Sequence, residues 1–111
     1  LDGNTGEVLR TIGGVGEQLT VHERHPDTNA RLRGWRLPLY DEARTLVLKA
    51  SASFPMLRFQ HWDIAITHSG PVLVECNSPG GIELPQIAAG RGVYDASLRE
   101  FVDRYGAARP R

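Results

Sequence analysis

The sequence has little of several features that would place it in a specialised class of protein. Cys76 is the only cysteine in 111 residues, so the chain cannot form an internal disulfide. No run of about 18 apolar residues is present, so no segment predicts a helix that crosses a membrane. A secretory leader is also not visible in the sequence. From these observations we expect a cytoplasmic location.

An excess of charge of one sign is also missing, because 13 basic residues balance 13 acidic residues. Such a chain has no overall field that would attract it to nucleic acid or to an anionic membrane, and we expect neither as a partner. Lys49 is the only lysine, and every other basic residue is arginine. Lys49 follows Val47 by two positions within a helical pattern, which predicts that it lies on the surface.

The pattern of apolar residues predicts one α+β domain over residues 1–106, with an antiparallel sheet, packed helices and a frayed tail at 107–111. Strands are expected at residues 7–12, 19–22, 60–67 and 71–77, and a long loop at 23–36. A helix over 41–53 should end before Pro55, and 83–89 should form a short helix. Asp95 is expected to cap a last helix. The turn signal at the very start predicts that the chain is a C-terminal piece of something longer. The core face of the first helix should carry Ala43, Leu46, Val47, Ala50 and Phe54.

The most informative segment is a predicted hairpin over residues 61–77. A three-residue turn at 68–70 would pair Asp63 with Glu75 and Ala65 with Leu73, and directly opposed residues lie on the same face. A two-residue turn would shift the pairing by one and would mix polar and apolar residues. One face would then carry Asp63, Ala65, Thr67, Leu73, Glu75 and Asn77, and the other Trp62, Ile64, Ile66, Val72, Val74 and Cys76.

Two carboxylates and an amide at one end of this face predict a cation site. Neighbouring carboxylates repel each other unless a positive charge neutralises them. Magnesium, or manganese in its place, prefers oxygen ligands such as those of Asp63, Glu75 and Asn77. The alternative is a solvated sheet face on which acidic residues fall by chance. Cys76 belongs to the apolar face and is expected to be buried and unreactive.

Several of these segments resemble the ATP-grasp superfamily. The carrying residues are Asp63 and, twelve positions later, the run from Glu75 to Asn77. More narrowly, the strings WDIA (62–65) and GPVLVECNSPG (70–80) are similar to an ATP-grasp group described as sugar-phosphotransferase-like and related to α-L-glutamate ligases. The strings HPDT (25–28) and GWRLP (34–38) are similar to the same group, and the resemblance extends from residue 1 to about residue 92.

The resemblance implies a set of roles for particular residues. Residues at the positions of Asp63, Glu75 and Asn77 hold one or two magnesium ions against the phosphates of ATP, and the residue at Leu73 lies beneath the adenine. The usual reaction attacks the γ-phosphate with a carboxylate and then displaces the acyl phosphate with an amine. The loop after the asparagine borders a small-molecule acceptor, and this loop contains Ser78, Gly80 and Gly81. Apart from these implied roles, His25 in the long loop is a candidate for contact with substrate.

The resemblance also implies a part that this chain does not supply. In ATP-grasp enzymes a second, N-terminal lobe brings phosphate-binding lysines and contacts to the adenine edge. We therefore expect this chain to be the Mg-ATP-binding half of an ATP-dependent ligase or phosphotransferase, a C-terminal subdomain that is incomplete alone and whose catalytic residues are unassigned. The alternative is a non-catalytic binding or interaction module that keeps the fold. A metal-dependent hydrolase would need a base or nucleophile near the two acids.

Other motifs favour structural roles over chemical ones. Residues 13–16 (GGVG) are typical of a turn, and they lack the full spacing of a phosphate-binding loop. His22 and His25 are three residues apart and precede a proline, which argues against a zinc helix. His61 and His68 flank the hairpin and are expected on the surface. Trp35 and the arginines at 31, 33 and 36 are expected to lie in a solvated loop, with substrate contact as the alternative.

Overall fold

The structure, a computed structural model, describes residues 1–14, 16–78 and 80–106. The chain divides into two units, Leu1–Gly80 and Gly81–Arg111. The assignment of residues 1–106 to one domain stays a prediction, and the predicted tail at 107–111 lies outside the described residues. In chain order the elements are β1 (Ile12–Gly13), β2 (Thr20–Val21), α1 (Tyr40–Ala52), β3 (His61–Thr67), β4 (Gly70–Asn77), α2 (Glu83–Ala89) and α3 (Ala96–Tyr105).

These elements confirm an α+β architecture with antiparallel pairing, but the described strands form two small sheets. One sheet pairs β1 with β2 and the other pairs β3 with β4. The predicted strand at 7–12 is mostly wrong, because only its last residue belongs to β1, while Glu7 forms a single bridge to Arg36. The first helix lies within one residue of its predicted bounds, and α2 has the predicted ones. Within the described parts of the chain, no helix combines the length and the apolar character that crossing a membrane would require.

Helix α1 covers one face of the β3–β4 hairpin. Val47 and Ser51 line a groove together with Trp62, so α1 lies over the face that carries this tryptophan. Ala43 is 4% exposed, whereas Leu46 and Val47 are half-buried. Among the described residues, Ala43 is the one buried apolar side chain. The predicted core face is therefore confirmed in its direction for the helix, but it is wrong for Phe54, which follows the helix and is 48% exposed. The core beneath α1 is thin.

A single side chain joins the end of α1 to the start of β3. The Nε2 atom of Gln60 donates to the carbonyl oxygens of Ser51 (3.3 Å), Phe54 (3.2 Å) and Leu57. Its Oε1 atom accepts from the indole N–H of Trp62 at 2.8 Å. These carbonyl groups belong to the last turn of α1 and to the segment that follows it, and those of Ser51 and Phe54 also accept backbone N–H groups. The start of β3 is thereby fixed relative to α1.

The register of the hairpin differs from the predicted one near the turn. The turn has two residues, 68 and 69, and Thr67 pairs with Gly70. Gly70 has a φ of 119°, a conformation that favours glycine. Ile64 pairs with Leu73, but Asp63 pairs with Glu75, so one extra residue, Val74, lies on β4 between these pairs. Such an irregularity is a β-bulge, and it restores at the far end the pairing that a two-residue turn shifts by one.

The second unit contains α2 and α3. The predicted cap is confirmed, because the carboxylate of Asp95 accepts from the backbone N–H of Leu98 at 3.0 Å. Gly90 ends α2 with a φ of 67°, which is the usual left-handed termination of a helix.

Candidate metal site on the hairpin

Four polar side chains share one face at the open end of the hairpin. The ladder pairs His61 with Asn77 and Asp63 with Glu75. His61 and Asp63 are two residues apart on β3, and Glu75 and Asn77 are two apart on β4, so all four side chains emerge on the same side. We call this group, His61, Asp63, Glu75 and Asn77, the acid face. It lies opposite the face that α1 covers.

The two carboxylates of the acid face are accessible, and that of Glu75 is bonded to an amide. Asp63, Glu75 and Asn77 are exposed, whereas His61 is half-buried. The Nδ2 atom of Asn77 donates to Oε1 of Glu75 at 2.9 Å. This bond orients the Glu75 carboxylate and leaves its second oxygen and the Oδ1 atom of Asn77 outside the bond. The exposed groups therefore offer several oxygen atoms on one side of the sheet.

The donor set fits a magnesium ion better than a cation with an all-protein cage. No group of three His, Cys, Asp or Glu side chains within residues 1–14, 16–78 and 80–106 could hold a metal. Structural zinc needs four side-chain ligands of nitrogen or sulfur, and calcium needs six to eight oxygens. Magnesium is commonly held by only one or two carboxylates, with water and substrate phosphate completing its shell. Asp63 and Glu75 supply that number.

The predicted place of Leu73 beside the acids is wrong. Leu73 pairs with Ile64, and Ile64 alternates with Asp63 along β3, so Leu73 lies on the face that α1 covers. Its half-buried state agrees with this placement, whereas Val74 is 64% exposed. The bulge is the physical reason. Its extra residue shifts the part of β4 between the turn and Glu75 by one position, so the side chains there lie on the face opposite to the expected one. Contact of Leu73 with adenine stays a prediction that the ladder does not favour.

Two of the predicted acceptor-loop residues lie at the open end of the hairpin. The hydroxyl of Ser78 donates to the backbone oxygen of Phe59 at 2.9 Å. Gly80 is half-buried against the ring of His61. Gly81 is exposed and belongs to the second unit, while Pro79 lies outside the described residues. Substrate contact by Ser78, Gly80 and Gly81 stays a prediction.

His61 is the member of the acid face that sequence reasoning missed. It was expected on the surface, yet it is half-buried and its ring lies against Phe59, with ring centroids 5.1 Å apart. The available signal was its spacing, because His61 precedes Asp63 by two residues and must share its face in a regular strand. His68 is exposed in the turn, as predicted.

His25 has a structural environment in a local turn. Its Nδ1 atom accepts from the backbone N–H groups of Asp27 (3.2 Å) and Thr28 (3.4 Å). Its backbone N–H donates to the oxygen of Ala30 at 2.8 Å. These bonds account for the half-buried position of His25, and its contact with substrate stays a prediction.

The arginines of the long loop are partly engaged by acids. Arg36 contacts Asp41 at 2.9 Å, and Arg33 contacts Glu23 at 3.6 Å. Both pairs are exposed, so each contributes little to stability. Trp35, in the same loop, is 51% exposed, which agrees with a solvated loop and leaves its substrate contact a prediction.

Comparison with known proteins identifies one match. A family model described as sugar-transfer associated ATP-grasp matches residues 1–101, which includes every residue of the acid face. Neither the curated proteins nor the solved structures gave a match to the chain.

Proposed function

The chain belongs to the sugar-transfer associated ATP-grasp family, and on that premise we propose that its acid face binds magnesium together with ATP. Membership of the family supports ATP binding and a reaction of the ligase or transferase type. The observation that carries the proposal is the pairing of Asp63 with Glu75 on an exposed face, with Asn77 bonded to Glu75. These three residues are the proposed metal-holding groups.

Each of these side chains has a separate task in the proposal. Asp63 and Glu75 provide the two negative charges that hold a divalent cation. Asn77 orients the Glu75 carboxylate through its amide N–H and offers its own oxygen as a neutral ligand. When bound, magnesium neutralises negative charge that develops on the phosphates during transfer to a small-molecule acceptor.

We further propose that groups outside this chain complete the nucleotide site. Lys49 is the only lysine, and it is exposed on α1, beyond the face of the hairpin that α1 covers. It lines a surface groove with Asp41 and Glu42 rather than contributing to the acid face. A lysine that contacts the nucleotide phosphates must then come from a further lobe. The position of Lys49 equally favours the second candidate, a binding module of the same fold without catalytic activity.

A titration of the isotopically labelled chain with Mn²⁺, with and without ADP, tests the proposal. We expect paramagnetic broadening of amide signals centred on Asp63, Glu75 and Asn77, and we expect ADP to strengthen it. Glu75→Gln should weaken Mn²⁺ binding by about tenfold or more, an effect that even outer-shell partners of metals can produce. Asp103→Asn, a change to an exposed acid on α3, is the matched control and should leave binding unchanged.

The outcomes separate the two candidates. Broadening that ADP strengthens and that Glu75→Gln weakens supports a nucleotide-linked metal site. Dispersed signals without local broadening at the acid face would contradict that site and would leave the non-catalytic module as the better description of the chain.

A further inference from the structure

The ring of His61 has two close neighbours at the open end of the hairpin. It lies against the ring of Phe59, with centroids 5.1 Å apart and an interplanar angle of 54°. It also lies so close to Gly80 that a Cβ atom at this position would overlap Cγ, Nδ1 and Cε1 of the imidazole. Gly80 therefore rests directly on the imidazole.

The requirement for glycine at position 80 is steric. The φ angle of Gly80 lies outside the left-handed region, whereas Gly70 has a φ of 119° and open space around it. Alanine at position 70 would strain the backbone, but alanine at position 80 would collide with a side chain. The two glycines are thus needed for different reasons, and only Gly80 depends on the size of its neighbour.

A second contact ties the same segment to the start of β3. The hydroxyl of Ser78 donates to the backbone oxygen of Phe59 across 19 positions of sequence. Phe59 immediately precedes Gln60, whose amide is bonded to three carbonyl oxygens and to Trp62. The bonds of Gln60 therefore hold the backbone next to Phe59 in place.

We propose that His61 is a positioning residue that seats Ser78 and Gly80 beside the acid face. His61 pairs with Asn77 in the ladder, and Asn77 is bonded to Glu75. The imidazole thereby sets the distance between Gly80 and the two carboxylates. This role uses the shape of the ring and its contacts with Phe59 and Gly80, and it does not depend on a bound nucleotide.

A double-mutant cycle between His61 and Gly80 tests the contact on the chain without any ligand. Gly80→Ala should lower the melting temperature in the wild-type background, because its methyl group overlaps the imidazole. In the His61→Ala background, Gly80→Ala should lower the melting temperature by less than about half of that loss, because the imidazole that its methyl group would overlap is gone. Equal losses in both backgrounds would overturn the proposal.

Backbone dynamics provide a test that needs no change at Gly80. In His61→Ala, the amide order parameters of Ser78 and Gly80 should fall from about 0.85 to below about 0.6. His61→Phe keeps a flat ring against Phe59 and should retain most of the order. His68→Ala, at the exposed turn of the same hairpin, is the control and should change nothing. Order parameters that are unchanged in His61→Ala would overturn the proposal.

A third measurement, which rests on the proposed function, separates positioning from general stabilisation. With Mn²⁺ and ADP, broadening at Asp63 and Glu75 should persist in His61→Ala, while broadening at Gly80 should decrease because the segment no longer lies beside them. Equal decreases at all three positions would contradict a positioning role. Absence of broadening in the wild type would contradict the metal site alone, since the cycle and the order parameters are measured without ligand.

Discussion

The first unit contains two antiparallel ribbons that differ in how they are held. The β3–β4 hairpin has seven paired positions and is covered on one face by α1, whereas β1 and β2 pair at only two positions. The β1–β2 ribbon depends on loop contacts, such as the bond from the backbone N–H of His22 to the oxygen of Thr11 at 2.9 Å. Two-stranded ribbons are marginal without packing, so the hairpin should be the stable part and the shorter ribbon the labile part.

The N-terminal segment is linked to α1 through Tyr40. The hydroxyl of Tyr40 donates to the oxygen of Gly3 at 2.9 Å, and its ring lies where a Cβ atom at Gly6 would be. Gly6 is buried and has a φ of 70°. The segment that carries the shorter ribbon therefore reaches α1 through Tyr40, and the long loop reaches α1 through the ion pair of Arg36 with Asp41, while the hairpin packs against α1 directly.

The largest expected effect comes from removing the link between α1 and the hairpin. Gln60→Leu removes the amide that serves three carbonyl oxygens and the Trp62 indole, and it should lower the free energy of unfolding by about 2–3 kcal/mol. Chemical denaturation measures this loss. Gln18→Leu, in an exposed loop, is the matched control and should change stability little. A loss in Gln60→Leu no larger than that of the control would remove the basis for calling the hairpin the anchored region.

A smaller effect should distinguish the two ribbons directly. Gly70 and Gly14 both have positive φ, at 119° and 107°. Gly70→Ala should lower the global free energy of unfolding by about 1–2 kcal/mol, because alanine is strained at a positive φ and this turn belongs to the cooperative hairpin. Gly14→Ala, which would also crowd the carbonyl of Gln18, should disturb amide signals of residues 11–22 with little change in the unfolding midpoint.

Gly3→Ala is the control for this pair, because Gly3 has open space around its Cα and no positive φ. It should leave both the midpoint and the amide signals of 11–22 unchanged. If Gly14→Ala lowered the midpoint as much as Gly70→Ala, the two ribbons would unfold as one, and the contrast between them would be wrong.

The smallest effect concerns the turn at the start of the chain. Backbone N–H groups of Thr5 and Asn4 and the Thr5 hydroxyl donate to the carboxylate of Asp2, and they hold its pKa below the ordinary value of 3.8. Because the folded pKa is depressed, this contribution is present above the ordinary pKa and is lost as pH falls through the folded pKa. Amide shifts of Asn4 and Thr5 should titrate with a midpoint below 3.8.

Asp2→Asn should abolish that titration, because the amide does not ionise. Amide signals of the hairpin should not follow the same midpoint, since the turn belongs to the N-terminal segment and not to the hairpin. A hairpin signal that titrates together with Asn4 would show that the two regions are coupled.

The contrast between the ribbons also explains which parts of the fold sequence patterns could predict. The hairpin combines large apolar residues at positions 62, 64 and 66 with a turn signal at 68–70, so its strands and the pairing of Asp63 with Glu75 were predictable. The strand expected at 7–12 alternates only loosely, and Glu7 pairs with a residue of the long loop instead. Its pairing depends on tertiary contacts such as that of Tyr40 with Gly3, which no local pattern reveals.

Within the candidate site, the error at Leu73 has a specific physical origin. A three-residue turn with a regular ladder and a two-residue turn with a bulge both bring Asp63 opposite Glu75. Alternation favours the regular ladder, and neither Val74 nor its neighbours Leu73 and Glu75 is a glycine or proline that would mark the bulge. The role of His61 could not be predicted for a different reason. Gly80, which its ring contacts, lies beyond the end of β4, and the contact between the two residues is steric.

Because of the bulge at Val74, the number of residues in the turn does not by itself decide on which face the two carboxylates lie. In a regular ladder, one residue added to or removed from the turn would rotate every later side chain to the opposite face. Here the extra residue Val74 lies between the turn and the carboxylates. The alternation of side chains near the turn is therefore shifted by one position relative to the alternation at the open end of β4. A one-residue insertion at the tip combined with deletion at position 74 would return the ladder to a regular form with Asp63 still opposite Glu75. The hairpin can thus tolerate paired changes in length without losing its two charges.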